Sequence, residues 1–364
     1  MAATVSILHV EQPTGGGVRS YVLDMAKAQA EAGSRVGIAA PPRHQAAPGI
    51  DLLGWPARRA PGPSVVDEVR RLRRVISGWQ PDIVHLHSSK AGLCGRLALR
   101  GRLPTIFQPH AWSFDALTGP MRIAAAKWEG IGARWTDVIV CVSEGERRAG
   151  AGLGRELDLR VVPNGVDLDR WAPPSENDRG EARERLGLGP GPLAICVGRL
   201  SRQKGQDILI GLWPGVRARV PDATLLLVGD GPDRARLAAS AGPGIQFVGD
   251  VDDARPWLIA SDLVVAPSRW EGMSLALLEG MACGRSVVAT DVHGTEETVG
   301  RGGGTIVSKT DGDRLSAAIV ERLIDPARAR SEGDIGRALI EKHHDWRLVV
   351  GSIGAIYEEV LSRR

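Results

Sequence analysis

The chain alternates two hydrophobic patterns. Short apolar runs of strand length occupy Val5–Val10, Arg35–Ala40, Ile83–His87, Thr105–Pro109, Val138–Val142 and Leu159–Val162. Between them, apolar residues at helical spacing predict helices over Val18–Ala32, Ser64–Gly78, Lys90–Arg100 and Arg122–Thr136. This is the pattern of βαβ units and parallel sheets. A second series follows at Leu193–Gly198, Thr224–Gly229, Ile245–Val248, Leu263–Pro267, Ser286–Thr290 and Gly304–Val307, with helices predicted at Gln206–Arg219 and Pro232–Ser240. Two series predict two doubly wound α/β domains, over residues 1–165 and 191–345. Residues 166–190, within the polar Pro- and Gly-rich stretch from Pro163 to Pro192, read as a linker. A final amphipathic segment, Trp346–Leu361, predicts a C-terminal helix with no strand after it. In open α/β sheets ligands sit beyond the carboxyl ends of the strands, so two such domains facing each other would form a binding cleft.

Composition adds limits. A chain of 364 residues exceeds the size at which one core keeps growing, which agrees with two domains. Hydrophobic content of 43% and charged content of 24% describe an ordinary globular protein. A net charge of +3 is too small to argue for nucleic acid. The cysteines Cys94, Cys141, Cys196 and Cys283 show no paired spacing, so neither a zinc site nor a disulfide framework is expected, consistent with a reducing cytoplasm. The first residues lack a basic segment and an apolar core, so no signal peptide is expected. No stretch approaches the roughly 20 apolar residues that span a bilayer. The expected location is cytoplasmic, or peripheral on the inner face of a membrane.

The most informative segment runs from Pro267 to Gly284. A strand-like stretch ending at Pro267 feeds a loop with Glu271 and Gly272, and a helix opens near Ser274 with Glu279 inside it. The first N–H groups of a helix lack internal partners and sit at the positive end of its dipole, so Gly272, Met273, Ser274 and Leu275 offer an anion-binding edge. Glu271 and Glu279 only accept hydrogen bonds when ionised, which suits sugar hydroxyls. A site that holds a diphosphate between two sets of hydroxyls is what a nucleotide-sugar would need. After the strand Leu193–Val197, the loop Gly198-Arg199-Leu200-Ser201-Arg202-Gln203-Lys204-Gly205 carries cations whose geometry matches phosphate oxygens.

The spacing of Glu271 and Glu279, followed by Met281-Ala282-Cys283-Gly284, resembles the donor-site motif of family-4 retaining glycosyltransferases. In that family the first Glu contacts the donor sugar and the second the ribose. The loop Gly198–Gly205 resembles its pyrophosphate loop, which implies that Arg199 and Lys204 hold the diphosphate while Arg202 is a surface residue. The turn Thr14-Gly15-Gly16-Gly17-Val18 follows the first strand, and Gly16, with Gly17, matches the family's glycine at the donor phosphate. It is neither a dinucleotide fingerprint nor a P-loop. His110, in Gln108-Pro109-His110-Ala111-Trp112, resembles the family's active-site histidine, although Ala111 stands where glycine is usual and Pro109 precedes the histidine. The loop around Val251 corresponds to the segment that holds the base through backbone groups.

Other motifs read as structural. His85 and His87 alternate onto one strand face, but no third ligand lies near in sequence, so no metal is expected. Asn164 and Asp167 of a Pro-Asn-Gly-Val-Asp turn, and Gly229-Asp230-Gly231-Pro232, read as turn residues. Arg70, Arg71, Arg73 and Arg74 read first as a solvated helix face and second as a contact for anionic lipid or a phosphorylated acceptor, since relatives often dock on membranes through basic first-domain helices. No aromatic residues interleave with them, so nucleic acid is not expected.

The resemblance spans nearly the whole chain. It implies the GT-B fold, two Rossmann-like domains facing across a cleft, with the C-terminal helix 346–364 packing back on the first. It further implies metal-independent, retaining transfer of a sugar from a UDP- or GDP-linked donor, without a separate cofactor. UDP is the commoner carrier among relatives, and the acceptor is a small molecule, a glycan or a lipid-linked species. Catalysis would rest on His110, Glu271, Arg199 and Lys204. The alternatives are a GT-B nucleotide-sugar epimerase and a non-catalytic nucleotide-sugar-binding protein.

Overall fold

A computed structural model describes residues 5–13, 15–42, 48–59, 61–154, 157–300 and 302–364. Thr14 of the glycine-rich turn lies outside the described residues. The chain divides into two compact units, Met1–Pro163 with Val349–Arg364, and Asn164–Leu348.

The first unit contains β1 (Ser6–Val10), α1 (Gly17–Glu31), β2 (Arg35–Ala40), β3 (Ile50–Gly54), α2 (Val65–Trp79), β4 (Ile83–His87), α3 (Ser88–Leu99), β5 (Thr105–Gln108), α4 (Gly119–Gly132), β6 (Val138–Cys141), α5 (Glu144–Ala151) and β7 (Leu159–Val161). Its strands form a seven-stranded parallel sheet in the order β3-β2-β1-β4-β5-β6-β7. The central strands β1, β4, β5 and β6 are buried at every residue, as expected for a parallel sheet covered on both faces. Register places His9 beside His85 and His87 beside Gln108. Residues paired across adjacent strands share a face, so three histidines from two strands meet on one side.

Helix α3 lies close to the sheet because small residues allow it. A Cβ on Gly92 would fall 2.3 Å from Cε2 of Phe107. The Arg96 side chain is fully buried, with Nη2 donating to Oε2 of Glu129 at 2.6 Å and its guanidinium 4.1 Å from the Phe107 ring centroid. Removing one partner of such a pair typically costs about 3–5 kcal/mol, because the other charge stays buried.

The second unit contains α6 (Glu176–Arg185), β8 (Leu193–Val197), α7 (Gln206–Arg219), β9 (Thr224–Val228), α8 (Arg234–Ser240), β10 (Ile245–Gly249), α9 (Arg255–Ala260), β11 (Leu263–Ala266), α10 (Leu275–Ala282), β12 (Ser286–Thr290), α11 (Thr295–Val299), β13 (Gly304–Val307), α12 (Gly312–Ile324) and α13 (Pro326–His343). Its six parallel strands run in the order β10-β9-β8-β11-β12-β13. The last helix, α14 (Trp346–Ser362), belongs to the first unit from Val349 onward and buries Val349, Ile353, Ile356, Tyr357 and Val360. Arg160, in β7, pairs there with Glu359.

Strand β3 and helix α6 are among the elements that the hydrophobic pattern did not assign. Strand β3 is an edge strand with a single buried residue, Ile50, so its pattern is weak. The segment expected to be a linker over 166–190 holds α6, a polar helix started by a reciprocal capping box between Ser175 and Asp178. It is fastened by Arg179 and Arg183 to Asp262, the residue before β11. Among the described residues no helix is long and apolar enough to cross a membrane. The four cysteines are buried and unpaired.

Candidate functional site

In the second unit, two loops meet at the carboxyl ends of β8 and β11. After β8 the chain turns through Gly198 at φ 147° and reaches Gly205 at φ 70°, where α7 begins. A Cβ on Gly205 would lie 2.1 Å from the Pro267 carbonyl oxygen, so the two loops touch backbone to backbone. That contact brings Lys204 to Glu271, with Nζ 2.6 Å from Oε1. The buried Glu271 carboxylate also accepts from Ser268 Oγ at 2.8 Å and from Gln203 Nε2 at 3.3 Å. The motifs assign Lys204 and Glu271 separate ligand contacts, whereas the structure pairs them.

Helix α10 starts at Leu275 with Ser274 as N-cap, and no side chain caps its first N–H groups. Among the described residues, the buried Ser274 hydroxyl finds no hydrogen-bond partner. An uncapped helix start with a polar group aimed at nothing is suited to an anion. Met273 and Gly272 are held from two sides. Asn164 Nδ2 donates to the Met273 carbonyl at 3.0 Å, and a Cβ on Gly294 would come 2.4 Å from the Gly272 carbonyl oxygen. Asn164 in turn accepts, through its own carbonyl, from Nδ1 of His344 at 2.8 Å. Thr290 Oγ1 donates to the Ser268 carbonyl at 2.5 Å. Arg199 is exposed, Glu279 is half-buried on α10, and Val251 is half-buried in the loop after β10. Arg202 is exposed over the Trp270 ring. Asp167 accepts from the N–H groups of Asp169 and Arg170, a local turn role.

In the first unit, Gly16 at φ 82° precedes α1, and Gly17 is the first residue of that helix. The backbone conformation explains Gly16, since a Cβ placed there would have nothing within 4 Å. His110 follows β5 at φ 55° and Ala111 at φ 117°, both in the region that favours glycine. Ala111 N–H donates to Oε1 of Glu146 at 2.7 Å.

His110 does not stand alone. Its Nε2 lies 3.1 Å from Nδ1 of His87, Nε2 of His87 lies 2.9 Å from Nδ1 of His9, and Nε2 of His9 lies 2.7 Å from Oε1 of Gln29. His85 Nδ1 pairs with the Tyr357 hydroxyl at 2.6 Å. Burial holds His9 down to about 4 and His110 down to about 3, and keeps His85 and His87 well below the ordinary imidazole range. All four rings are therefore neutral near pH 7.

Sequence proximity offered His85 and His87 no third ligand, but His9 on the neighbouring strand supplies one. Ring nitrogens of His9, His85 and His87 lie within 4.8 Å of one another. Most of those nitrogens already bond to each other, to Gln29, to Tyr357 or to His110, so a metal would have to break that network. The signal that could have found His9 is its place at the end of the first strand, in phase with His85.

The arginine run on α2 is not one free face. Arg73 donates to the carbonyls of Ala98 at 3.1 Å and Leu97 at 3.0 Å, completing the end of α3. Arg70 pairs with Asp67 at 3.2 Å, while Arg71 and Arg74 are exposed.

Residues 15–170 match a family model described as Glycosyltransferase Family 4, and residues 191–325 match one described as Glycosyl transferases group 1. The chain is 38% identical over 244 residues to a GDP-mannose-dependent alpha-(1-6)-phosphatidylinositol monomannoside mannosyltransferase of Mycolicibacterium smegmatis; the match covers 63% of this chain and 63% of that protein, less than two thirds of its length. It is 30% identical to a phosphatidyl-myo-inositol mannosyltransferase of the same organism, over 95% of this chain and 90% of the relative. Among solved structures, sucrose-phosphate synthase from Thermosynechococcus elongatus superposes with a TM-score of 0.86 at 22% identity, covering 99% of this chain and all of that one, which establishes the GT-B fold class.

Proposed function

This chain belongs to glycosyltransferase family 4, and on that premise we propose that it transfers mannose from GDP-mannose to a hydroxyl of a lipid-linked polyol headgroup, with the anomeric configuration retained. The observation that carries the donor half is the edge made by Lys204, the uncapped start of α10 and the unpartnered Ser274 hydroxyl. A diphosphate leaving group gathers charge as the glycosidic bond breaks, and fixed cations and N–H groups stabilise that charge without reorganising. Lys204 and Arg199 supply the positive charge, so no metal is assigned. Glu279 binds the ribose, Glu271 the sugar, and His110 a hydroxyl at the reacting centre. Val251 lines the base, and Gly16 and Gly17 approach the phosphates.

The choice of mannose follows both mycobacterial mannosyltransferases, and that of GDP over the UDP carrier commoner among relatives follows the GDP-mannose-dependent one alone. Glu271 is committed to Lys204, Ser268 and Gln203, which argues against a carboxylate nucleophile and supports attack on the leaving-group face, where a donor phosphate oxygen takes the acceptor proton. An acceptor in a bilayer would bring the enzyme to the cytoplasmic face of a membrane, with Arg70, Arg71 and Arg74 as the basic contact.

Calorimetry with GDP, UDP and ADP, followed by turnover of GDP-mannose with phosphatidylinositol mannoside in vesicles, tests this. Binding of GDP tighter than UDP, and mannose appearing on the lipid, are the expected results. Equal affinity for all three nucleotides would remove the donor assignment. Consumption of donor without acceptor, giving a rearranged sugar, would favour an epimerase.

A further inference from the structure

Four side chains of the first unit form an ordered hydrogen-bond chain, Gln29–His9–His87–His110, with successive separations of 2.7, 2.9 and 3.1 Å. Gln29, His9 and His87 are buried, and only His110 of the four reaches partial exposure. A neutral imidazole carries one N–H, so in a closed chain each proton position dictates the next.

The polarity begins at Gln29. Its Oε1 only accepts, so His9 must place its proton on Nε2. Nδ1 of His9 is then bare and accepts from Nε2–H of His87. Nδ1 of His87 is bare in turn and accepts from Nε2–H of His110. We propose that Gln29, acting through His9 and His87, locks His110 in the Nε2–H tautomer, so that His110 offers its partner a lone pair on Nδ1 rather than a proton.

One amide decides the outcome. An amide has one accepting and one donating end, and Gln29 also hydrogen-bonds the Tyr357 hydroxyl on α14. With Oε1 facing Nε2 of His9, the amide nitrogen is the end left for Tyr357. With the amide turned over, every proton in the chain would move, and His110 would carry Nδ1–H. Tyr21 on α1 packs edge-on against the His110 ring, with centroids 5.0 Å apart, which opposes rotation of that ring. Gln29, His9 and His87 are thus positioning residues. Their consequence for turnover rests on the reading that His110 meets a substrate hydroxyl. In that setting His110 accepts a hydrogen bond from the hydroxyl and orients its oxygen lone pairs.

The test is tautomer spectroscopy on the full-length protein with 15N-labelled histidine, using long-range proton–nitrogen correlations near neutral pH. His9, His87 and His110 should each show the Nε2–H pattern. Gln29→Glu keeps an acceptor and should preserve it, whereas Gln29→Leu should leave His110 in a mixture of tautomers. In a mannosyl-transfer assay, Gln29→Leu should lower kcat about tenfold with donor affinity unchanged, and Gln29→Glu should stay within about threefold of wild type, small against the ~100-fold range of a full acid–base group. An Nδ1–H signal for His110 in the wild type overturns the proposal, with no variant needed. So does a Gln29→Leu protein whose His110 signals match the wild type. Full activity in His110→Ala would instead remove the functional reading while leaving the tautomer pattern in place, so the two failures are distinguishable.

Discussion

The backbone N–H of Ala111 donates to Glu146 Oε1 at 2.7 Å, and Oε2 of the same carboxylate accepts from Val142 N–H at 2.7 Å. Glu146 sits in the first turn of α5, whose N-cap Ser143 accepts from its N–H. One buried carboxylate thus ties the segment after β5 to the segment after β6. It also holds Ala111 at φ 117°, where an L residue is strained. Such strain persists only when the surroundings over-determine it.

Ala111→Gly should therefore stabilise the first unit by about 1 kcal/mol, the relief of strain outweighing glycine's extra unfolded-state freedom. Glu146→Ala should destabilise by about 2–4 kcal/mol, because two backbone N–H groups lose their acceptor. Urea titrations check both. A glycine variant less stable than wild type would mean that Ala111 is not strained.

The pairing of Lys204 with Glu271 yields a test with opposite signs. Lys204→Ala removes the cation and should weaken GDP binding about tenfold or more. Glu271→Gln releases Lys204 and removes a negative charge beside the phosphates. It should tighten GDP by about threefold while weakening GDP-mannose. If calorimetry shows that both variants lose GDP affinity alike, Glu271 serves the phosphate site as structure and does not oppose it.

Asn164 carries the hydrogen bond that steadies the Met273 carbonyl just before the start of α10. Asn164→Ala should lower donor affinity about fivefold and stability by about 1 kcal/mol, without altering any residue expected to touch the ligand. An unchanged dissociation constant for GDP-mannose would show that the loop holds its shape without this contact.

The central strands were legible because buried parallel strands are unbroken apolar runs; β2, β4 and β12 carry the bounds that the sequence pattern assigned. The helix start at Ser274 was legible from the loop chemistry around Gly272. Strand β3 and helix α6 were not, because an edge strand and a polar helix bury too few side chains to impose a period. The Lys204–Glu271 pair joins two loops far apart in sequence, each readable alone, and only the close approach at Gly205 brings them together. His9 was hidden for the same reason. Its significance depends on β1 lying beside β4, a matter of strand order that apolar runs do not encode.

The histidine cluster also sets a pH dependence of stability. His9, His85, His87 and His110 are depressed by burial, so between roughly pH 4.5 and the unfolded imidazole value near 6.5 the unfolded chain binds protons that the native chain does not. Stability therefore rises with pH through this window and is lost on acidification, by up to about 1.4 kcal/mol per pH unit for each ring. Glu11 works the other way. Burial raises its carboxyl to about 8 against the pull of Arg19, so it binds a proton in the native state and offsets about one ring. Carboxylates held low by arginines, such as Glu359 beside Arg160, lose their contribution only below roughly pH 4.5 and do not obscure the window. Urea midpoints at about pH 7 and about pH 5.5 should differ strongly, and His85→Gln, which removes a ring outside the Gln29–His110 chain, should reduce the difference by one ring's share. Equal midpoints at the two pH values would mean that the buried imidazoles take up protons in the folded protein, and the neutral cluster described above would not survive that result.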